Sequence, residues 1–592
     1  MDALERIVPR PRDAVSSPTH VDLSGRRVEG DPAAGSAVTA LASSLPGAAR
    51  GEADGAAPVV SVRVDPGAGL PPEGYTLTAD PAGVAIVGAD PAGAFYGVQT
   101  LLALAGEPCA EHRACVPGVR VRDWPDLPLR GTIEGFYGTP WSHAERLDHL
   151  RFSATCKLNA YVYAPKDDPF HRERWREPYP PEALARLAEL VEEAVARHVR
   201  FVFAISPGLS MVYSDPAERA VLRAKAEQVW EAGVREYALL FDDIPLGLEH
   251  GPDREAFGAG AGASATAHAA VCRDFAEGFL APRGAERPLI MVPTDYAGNA
   301  RSPYRDRLAA ELPVDVPVWW TGSDVVVGEV TAGDVAASAD SYGHRLVLWD
   351  NFPVNDFAPA RVFLGPLVGR ATGLDGLPLE GVTANPMVQA AASRLALATV
   401  ADYAWRPAAY DPARSHANAV RLVPGAAELL PLVEACSAWP PGADRSPRLT
   451  ALCASVLSGG PAGELRAELE RLAGLPTDVP GALARELAPW VAAARDMGAA
   501  GLAALALPHG RGRAGRSGGR GPGPGPRGGE RGRRAVQRDP AVRPPDARPG
   551  GPRRRRPRAA AHRPALRRQA PHRLTGAAGG RAARRPSAWR GR

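Results

Sequence analysis

Residues 237–247 read YALLFDDIPLG, an apolar run that ends in two adjacent carboxylates. Tyr237 to Phe241 have the composition of a fully buried strand, and Asp242 and Asp243 follow directly. Successive side chains of a strand point to opposite faces, so two neighbouring acids inside a sheet would leave one charge in a costly environment. The sequence therefore predicts that the strand ends at this pair, where both carboxylates reach an open edge of the sheet.

The same arrangement recurs from Arg130 to about Pro386, where eight apolar runs alternate with amphipathic stretches. Residues 181–198, PEALARLAELVEEAVARH, are typical of the helices that connect parallel strands. Eight such units over roughly 260 residues match the usual size of a (β/α)8 TIM barrel, so we predict an α/β fold of that type. The runs are LRGTIEGFYG, LNAYVYAPK, VRFVFAISPG, YALLFDDI, PLIMVPTDY, VPVWWTG, RLVLWDNF and LEGVTANP.

Polar side chains follow the end of each run. In a (β/α)8 barrel the carboxyl ends of the strands form the rim on which active sites are built. The paired acids of the fourth run then lie at the mouth of the barrel, where both can turn toward solvent. The polar residues predicted at this rim are Glu134, Lys166, Ser206, Asp242, Asp243, Thr294, Asp295, Thr321, Asp350, Asn351 and Asn385.

Composition and periodicity divide the chain into four parts. Residues 1–125 alternate short strand-like and helical runs, which predicts a small α/β domain in front of a catalytic barrel at 126–410. The helical period of residues 411–507 predicts a helical bundle domain that is cut short. Residues 508–592 hold 25 arginines against three acids, so they predict a disordered tail and leave the rest of the chain acidic. The pattern stops abruptly at Leu507, as a frameshift in a GC-rich gene would produce.

Cysteine usage and hydropathy indicate the state of the thiols and the location of the protein. The six cysteines have no metal-ligand spacing and the chain is too large to need disulfide staples, so we expect mostly buried thiols. The first residues lack the basic and apolar regions of a signal peptide, and no segment offers the ~18 uninterrupted apolar residues of a membrane span. We therefore expect a cytoplasmic protein without a membrane partner, or a secreted one if the true start lies upstream.

Four long motifs resemble glycoside hydrolase family 84, the β-N-acetylglucosaminidases that include the O-GlcNAcases. They are RGTIEGFYGTPWS, NAYVYAPKDDPFHRERWREPYP, LLFDDIP and LWDNFPVND. The segment GYTLTADPAGVAIVGADPAGAFYGVQTL is similar to the small domain that precedes the barrel in this family. One departure is Thr139, where family members carry an aromatic or basic residue; it bears on loop shape and not on the chemistry.

The resemblance implies retaining hydrolysis by substrate-assisted catalysis. The acetamido oxygen of the sugar is then the nucleophile and an oxazoline intermediate forms, so no protein carboxylate attacks the sugar. Asp242 would orient and polarise the acetamido N–H. Asp243 would protonate the leaving oxygen and later activate water. Such chemistry needs no metal and no cofactor, and the implied partner is a glycan or glycoprotein that bears N-acetylglucosamine.

Seven further residues match the family's contacts with the sugar. They are Gly135 through its backbone carbonyl, Lys166 as a point-charge donor, Tyr296 at the acetamido oxygen, Trp349 as the pocket wall, Asn351 on the acetamido side, Asp356 on the outer hydroxyls and Asn385 on another hydroxyl. Lys166 has separate support, because the chain contains only three lysines and otherwise uses arginine. A lysine kept at a strand end suggests that a compact ammonium is needed there.

Three other functions are compatible with parts of the sequence. An endo-acting hyaluronidase would share the barrel and the acids, but a carboxylate at Asp356 that grips terminal hydroxyls favours exo action. A catalytically inactive glycan-binding protein would be expected to lack Asp242 or Asp243, and both are present. A nucleic-acid binder could use the Arg-rich tail, yet aromatic interleaving is absent there except for Trp589, so we do not expect nucleic acid as a partner.

Overall fold

A computed structural model of the chain describes residues 3–23, 26–45, 49–50, 59–105, 115–374 and 376–507. The predicted tail, residues 508–592, lies outside this part. The described strands are β1 Asp13–Asp22, β2 Arg27–Gly30, β3 Ala49–Arg50, β4 Val59–Val64, β5 Tyr75–Asp80, β6 Gly83–Gly88, β7 Cys115–Asp123, β8 Leu129–Glu134, β9 Ala160–Tyr163, β10 Arg200–Ile205, β11 Glu236–Leu240, β12 Ile290–Val292, β13 Val318–Trp320, β14 Leu346–Asp350 and β15 Leu379–Ala384.

Helices occupy much of the remaining described chain. The α-helices are α1 Gly35–Ser44, α2 Pro91–Ala105, α3 His143–Thr155, α4 Pro181–Ala196, α5 Pro216–Glu231, α6 Gly251–Phe257, α7 Ala261–Phe275, α8 Pro303–Glu311, α9 Ala332–Tyr342, α10 Ala390–Trp405, α11 Pro412–Leu422, α12 Leu430–Ala435, α13 Pro447–Leu457, α14 Gly463–Ala473 and α15 Ala482–Ala506.

The first seven strands form one mixed sheet in the order β1-β7-β5-β6-β4-β2-β3. Helices α1 and α2 pack together, and α2 lies against strands β4 to β7. The periodicity correctly predicts β4, β5, β6, α1 and α2. It does not predict β1, because that strand reads DAVSSPTHVD and is largely exposed at the sheet edge, so it lacks the apolar alternation of a half-buried strand.

Strands β8 to β15 form a closed parallel barrel in chain order. Each of the eight predicted runs contains one of these strands, which confirms the predicted TIM barrel. Small and branched side chains such as Ala160, Val202 and Leu240 fill its interior, together with the indoles of Trp319 and Trp349. The barrel is therefore a solid core with a mouth at one end, where the strands finish.

Helices follow the barrel strands except at one connection. Between β14 and β15, residues 351–378 contain no helix among the positions that the structure describes. Helices α11 to α15 follow the barrel, as the helical period of residues 411–507 predicts. Buried residues Leu483, Leu487 and Val491 recur at intervals of four along α15, which places one face of this helix against the rest of the molecule.

A buried polar cluster joins the mixed sheet to the barrel. Asp123 at the end of β7 accepts hydrogen bonds from the Tyr75 hydroxyl at 2.7 Å and the Trp405 indole at 3.0 Å. The Lys157 ammonium lies 3.5 Å from the same carboxylate and donates to the Tyr75 hydroxyl at 2.9 Å. Burial lowers the pKa of Lys157 to about 8, although Asp123 opposes this shift. Asp123 thus helps Lys157 to keep its charge in a buried position.

The cysteine prediction is partly wrong. Cys156 and Cys272 are buried thiols as expected, but Cys453 is exposed and Cys115 is disulfide-bonded. Cysteine spacing identifies metal sites and small stapled domains, so it does not predict a bridge at Cys115 in a large chain. Within the described ranges, the helices are too short or too polar to cross a membrane.

Candidate active site

A cavity of about 220 Å³ opens at the carboxyl ends of the barrel strands. All nine residues that the motifs identify line this cavity, although they come from six different strands or the loops after them. They are Gly135, Lys166, Asp242, Asp243, Tyr296, Trp349, Asn351, Asp356 and Asn385.

Asp242 and Asp243 converge on one lysine. Lys166 donates a hydrogen bond to Asp242 Oδ2, and its ammonium lies 3.9 Å from Asp243 Oδ2. Strand β11 ends at Leu240, and Asp243 has a left-handed backbone with a φ of 54°. This conformation is uncommon for a residue other than glycine, and aspartate tolerates it better than most. The turn explains how two successive residues bring both carboxylates to the same side.

Two tyrosines hold the exposed carboxylate. Asp243 Oδ1 accepts from the Tyr296 hydroxyl at 2.9 Å, and Oδ2 accepts from the Tyr137 hydroxyl at 2.6 Å. Burial would raise the pKa of Asp243, but the Lys166 charge and these two hydrogen bonds outweigh it and hold that pKa below its usual range. Burial and the bond to Asp243 raise the pKa of Tyr137 to about 12. Without a substrate, Asp243 is therefore an anion with two neutral donors.

Tyr137 also connects the acids to the opposite wall. Its backbone N–H donates to Asp356 Oδ2 at 2.8 Å, and its hydroxyl accepts from Arg172 at 3.1 Å. The motif EGFYG contains this tyrosine, but nothing in the sequence alone shows that it reaches both Asp243 and Asp356. Such a bridge depends on how the loop after β8 folds over the mouth. Sequence reasoning therefore missed Tyr137 as a functional residue.

An amide network supports the floor of the cavity. Asn351 Oδ1 accepts from the Trp349 indole at 3.0 Å and from Asn385 Nδ2 at 2.9 Å. A Cβ on Gly135 would lie 2.4 Å from Trp349 Cζ2, so the ring could not keep its place if residue 135 had a side chain. The missing side chain at Gly135 thus makes room for the indole that lines the cavity.

Several polar residues predicted at the rim turn away from the cavity. Glu134 is buried and pairs with Arg146, while Asp350 accepts two hydrogen bonds from Arg370, both at 2.7 Å. Asp295 pairs with a buried arginine, Arg305, at 3.1 Å. These ion pairs anchor the loops that surround the mouth. Strand-end position alone does not distinguish an anchor from a ligand-facing group.

The remaining cavity wall is largely apolar. The sequence did not identify these residues, because an apolar side chain at a strand end or in a loop carries no chemical signature until the fold brings it to the cavity. Thr321 was predicted at the rim and also lines the wall. The apolar members are Val292, Val325, Val326, Val354 and Phe357.

The chain's three lysines are all buried and partnered. Lys157 meets Asp123, Lys166 meets Asp242, and Lys225 donates to the Glu177 carbonyl at 2.6 Å beneath the Tyr179 ring. Arginine is also buried in this molecule, as Arg305 and Arg370 show, but a lysine presents a compact point charge. The rarity of lysine therefore marks all three positions, and it marks burial as much as chemistry.

No group of three or more His, Cys, Asp or Glu side chains within the described ranges is arranged to hold a metal ion. The predicted absence of a metal cofactor stays a prediction. The functional groups that the cavity offers are two adjacent carboxylates, one ammonium, tyrosine hydroxyls and an aromatic wall.

A (β/α)8 barrel with paired carboxylates at its mouth is an architecture of glycoside hydrolases, and the family comparison assigns the chain to that class. The chain belongs to the β-N-acetylglucosaminidase family, whose model matches residues 130–434. Residues 5–124 match domain 2 of glycosyl hydrolase family 20, in agreement with a separate small sheet in front of the barrel.

Known proteins agree with this assignment. The protein O-GlcNAcase of Rattus norvegicus is 36% identical over 282 residues, which cover 46% of this chain and 30% of that protein. The match thus spans less than a third of the relative's length. The solved structure of CpGH84B superposes with a TM-score of 0.73 at 28% identity, covering 84% of this chain and 90% of that one. An O-GlcNAc hydrolase mutant from Thermobaculum terrenum gives 0.57 at 33% identity, covering 62% and 82%.

Proposed function

We propose that the chain is a retaining exo-β-N-acetylglucosaminidase that removes terminal β-linked N-acetylglucosamine through an oxazoline intermediate. The observation that carries this proposal is the pair Asp242 and Asp243, which share Lys166 but differ in environment. Asp242 is almost fully buried, whereas about a third of the Asp243 side chain is exposed. Two unequal carboxylates suit a reaction with two separate duties.

Asp242 is suited to orient the acetamido group. Its Oδ2 is bound to Lys166, while Oδ1 is buried without a hydrogen-bond partner among the described residues. A buried acceptor without a donor is costly, so a bound group that supplies an N–H is favoured there. In our proposal this is the N–H of the 2-acetamido group, and the nearby anion makes the acetamido oxygen a better nucleophile.

Asp243 is suited to exchange a proton with the leaving group, provided that its pKa rises when substrate binds. In our proposal the acetamido oxygen takes over the Tyr296 hydroxyl, which removes one of the bonds that hold the carboxylate anionic. The sugar also displaces water from the mouth, and desolvation favours the neutral acid. Both changes move the pKa of Asp243 upward, toward the value that a general acid requires.

The opposite wall is suited to recognise one terminal sugar. One side of the cavity is lined by Asp356, Asn385 and Trp349. The cavity volume of about 220 Å³ suits a single N-acetylated hexose rather than a run of sugars. We assign Asp356 to the outer hydroxyls, Asn385 to a further hydroxyl, Gly135 to a backbone contact and Asn351 to the acetamido side. The natural substrate is then a glycan or glycoprotein that ends in β-linked N-acetylglucosamine.

A panel of 4-nitrophenyl glycosides tests this function. We expect release from the β-N-acetylglucosaminide, slower release from the N-acetylgalactosaminide, and essentially none from the β-glucoside, because that substrate lacks the acetamido nucleophile. NMR of the first-formed product should show the β anomer. Equal cleavage of the β-glucoside would contradict substrate assistance. Rapid cleavage of internal hyaluronan bonds without nitrophenol release would instead establish endo action.

A further inference from the structure

Two connections at the mouth carry three of the sugar-facing residues. The β14–β15 loop, residues 351–378, holds Asn351 and Asp356, and the short segment 385–389 between β15 and α10 holds Asn385. The acids and Lys166 come from β9 and β11 on other parts of the rim. The recognition wall and the reacting groups are therefore supported by different elements.

The two connections are joined to each other by Asn355, the neighbour of Asp356. Its Oδ1 accepts from the Val388 backbone N–H at 3.2 Å, and its Nδ2 donates to Gln389 Oε1 at 2.9 Å. Asn355 is fully buried. A shift of the segment that precedes α10 would consequently move Asp356 as well.

The β14–β15 loop, whose described part contains no helix, contacts the segment between α12 and α13. The Leu364 N–H donates to the Cys436 carbonyl at 2.9 Å. The Trp439 indole packs edge-on against Phe352 with ring centroids 5.0 Å apart. Residues beyond the barrel thus support this loop.

Helix α15 supplies the cap that α10 lacks. The residue before α10, Gln389, makes no side-chain capping bond. Glu486 of α15 instead accepts from the Ala391 N–H at 3.0 Å and from the Ala392 N–H at 2.9 Å. Free N–H groups at a helix start need acceptors, and a carboxylate there also interacts favourably with the helix dipole. Glu486 therefore fixes the start of α10 from a position 94 residues or more along the chain.

One turn further along α15, Trp490 holds the other connection. Its indole N–H donates to the carbonyl of Ala360, in the β14–β15 loop, at 3.0 Å. Residues four apart lie on the same face of a helix, so Glu486 and Trp490 present two anchors side by side. One anchor holds the segment behind Asn385, and the other holds the loop behind Asp356.

We propose that Glu486 and Trp490 are positioning residues for sugar recognition, through which α15 sets the spacing of Asp356 and Asn385. This inference rests on the proposed function. Its distinctive consequence is a separation of effects: loss of either anchor weakens recognition of the sugar hydroxyls, while the acid–base step at Asp243 keeps its character. A helix that only stabilised the fold would not produce that separation.

The experiment compares Glu486→Ala, Glu486→Gln and Trp490→Phe, the last of which keeps an aromatic ring but removes the N–H donor. We expect KM for the 4-nitrophenyl N-acetylglucosaminide to rise roughly 3- to 30-fold in Glu486→Ala, the range that corresponds to a lost helix cap. The preference for N-acetylglucosamine over N-acetylgalactosamine should fall in parallel. Glu486→Gln should recover part of both, because one amide oxygen can still accept.

Leu469→Ala is the matched control, because Leu469 packs α14 against Gly501 of α15, about three helical turns beyond Trp490. It should lower thermal stability while leaving KM and the sugar preference unchanged. The ratio of rates on dinitrophenyl and nitrophenyl glycosides should stay near the wild-type value in all variants, since Lys166 and Tyr296 still hold Asp243 and neither residue bonds to an anchor. The sugar preference and the ratio of rates on the two leaving groups do not depend on the fraction of protein that is folded.

The outcomes separate the two proposals. Wild-type protein that releases nothing from the N-acetylglucosaminide would contradict the proposed function, and calorimetric binding of N-acetylglucosamine would then still compare the variants. An active wild type whose sugar preference is unchanged in Glu486→Ala and Trp490→Phe would overturn the positioning role. An equal loss of sugar preference in Leu469→Ala would also overturn the positioning role, because it would show that α15 acts only by stabilising the fold.

Discussion

Asp242 and Asp243 show how one backbone conformation serves two neighbouring charges. An extended backbone would send them to opposite faces of the sheet. The left-handed turn at Asp243 instead brings both carboxylates toward Lys166. A strained residue at a strand end is a recurring feature of functional sites. A left-handed turn thus keeps the pair together. The only sign of this turn in the sequence is the aspartate itself, a residue type that tolerates the conformation.

The two acids should respond differently to loss of charge. In Asp243→Asn, substrates should suffer in proportion to how much their leaving group needs a proton, and general acid assistance is worth ~10²–10⁴-fold. An alkyl glycoside should lose most of its rate and a dinitrophenyl glycoside little in the first step. In Asp242→Asn both should fall comparably, because the nucleophile is affected. Steady-state rates on the two substrates measure this.

Inhibitor binding provides the control for these variants. A thiazoline that mimics the oxazoline should bind Asp242→Asn more weakly than wild type, since its ring nitrogen loses a charged partner. If Asp242→Asn showed the strong dependence on leaving group and Asp243→Asn did not, the two roles would be reversed.

Motifs select residues by type and order, and the barrel brings the selected residues together. All nine residues of the motifs line one cavity, and no composition argument could have selected them. The Tyr137 bridge and the indole against Gly135 could not be predicted, because both depend on contacts between segments far apart in the chain. Glu134 and Asp350 illustrate the reverse error, since charged strand ends also anchor loops.

At the scale of elements, strong patterns gave the correct result and weak ones did not. The barrel strands are continuous apolar runs because both faces are buried, so all eight were predictable. Strand β1 is mostly exposed and has no such signal. The missing helix between β14 and β15 was not predicted either, because contacts with distant segments, such as Leu364 with Cys436, leave no local pattern in the sequence.

The contact between the mixed sheet and the barrel predicts a large effect of one substitution. Asp123→Ala should lower the free energy of unfolding by about 3–5 kcal/mol, since it leaves the buried Lys157 charge without its partner. Urea denaturation monitored by tryptophan fluorescence measures this.

The double variant Asp123→Leu/Lys157→Met tests the cause. It should recover much of the loss, because it removes both charges together. If the double variant were as unstable as Asp123→Ala, packing of the aspartate and not charge pairing would be responsible.

At the scale of the whole molecule, the Arg-rich segment should be dispensable for the fold. Truncation after Leu507 should leave glycosidase activity and Tm nearly unchanged, because residues 508–592 offer too little apolar surface to offset the entropy of ordering them. Calorimetry and a nitrophenyl assay on both lengths measure this. A fall in Tm of several degrees would show that the segment packs against the folded part.

Because all three lysines are buried, their side chains should react very slowly with lysine-directed reagents in the native fold. Each lysine lies in a different region: Lys157 at the contact between sheet and barrel, Lys166 at the barrel mouth and Lys225 on helix α5. Succinimidyl esters and lysine-specific proteases should therefore act on these side chains only after the surrounding region opens. Because the three sites report separately, mass spectrometry of a brief labelling pulse would record the order in which the regions unfold.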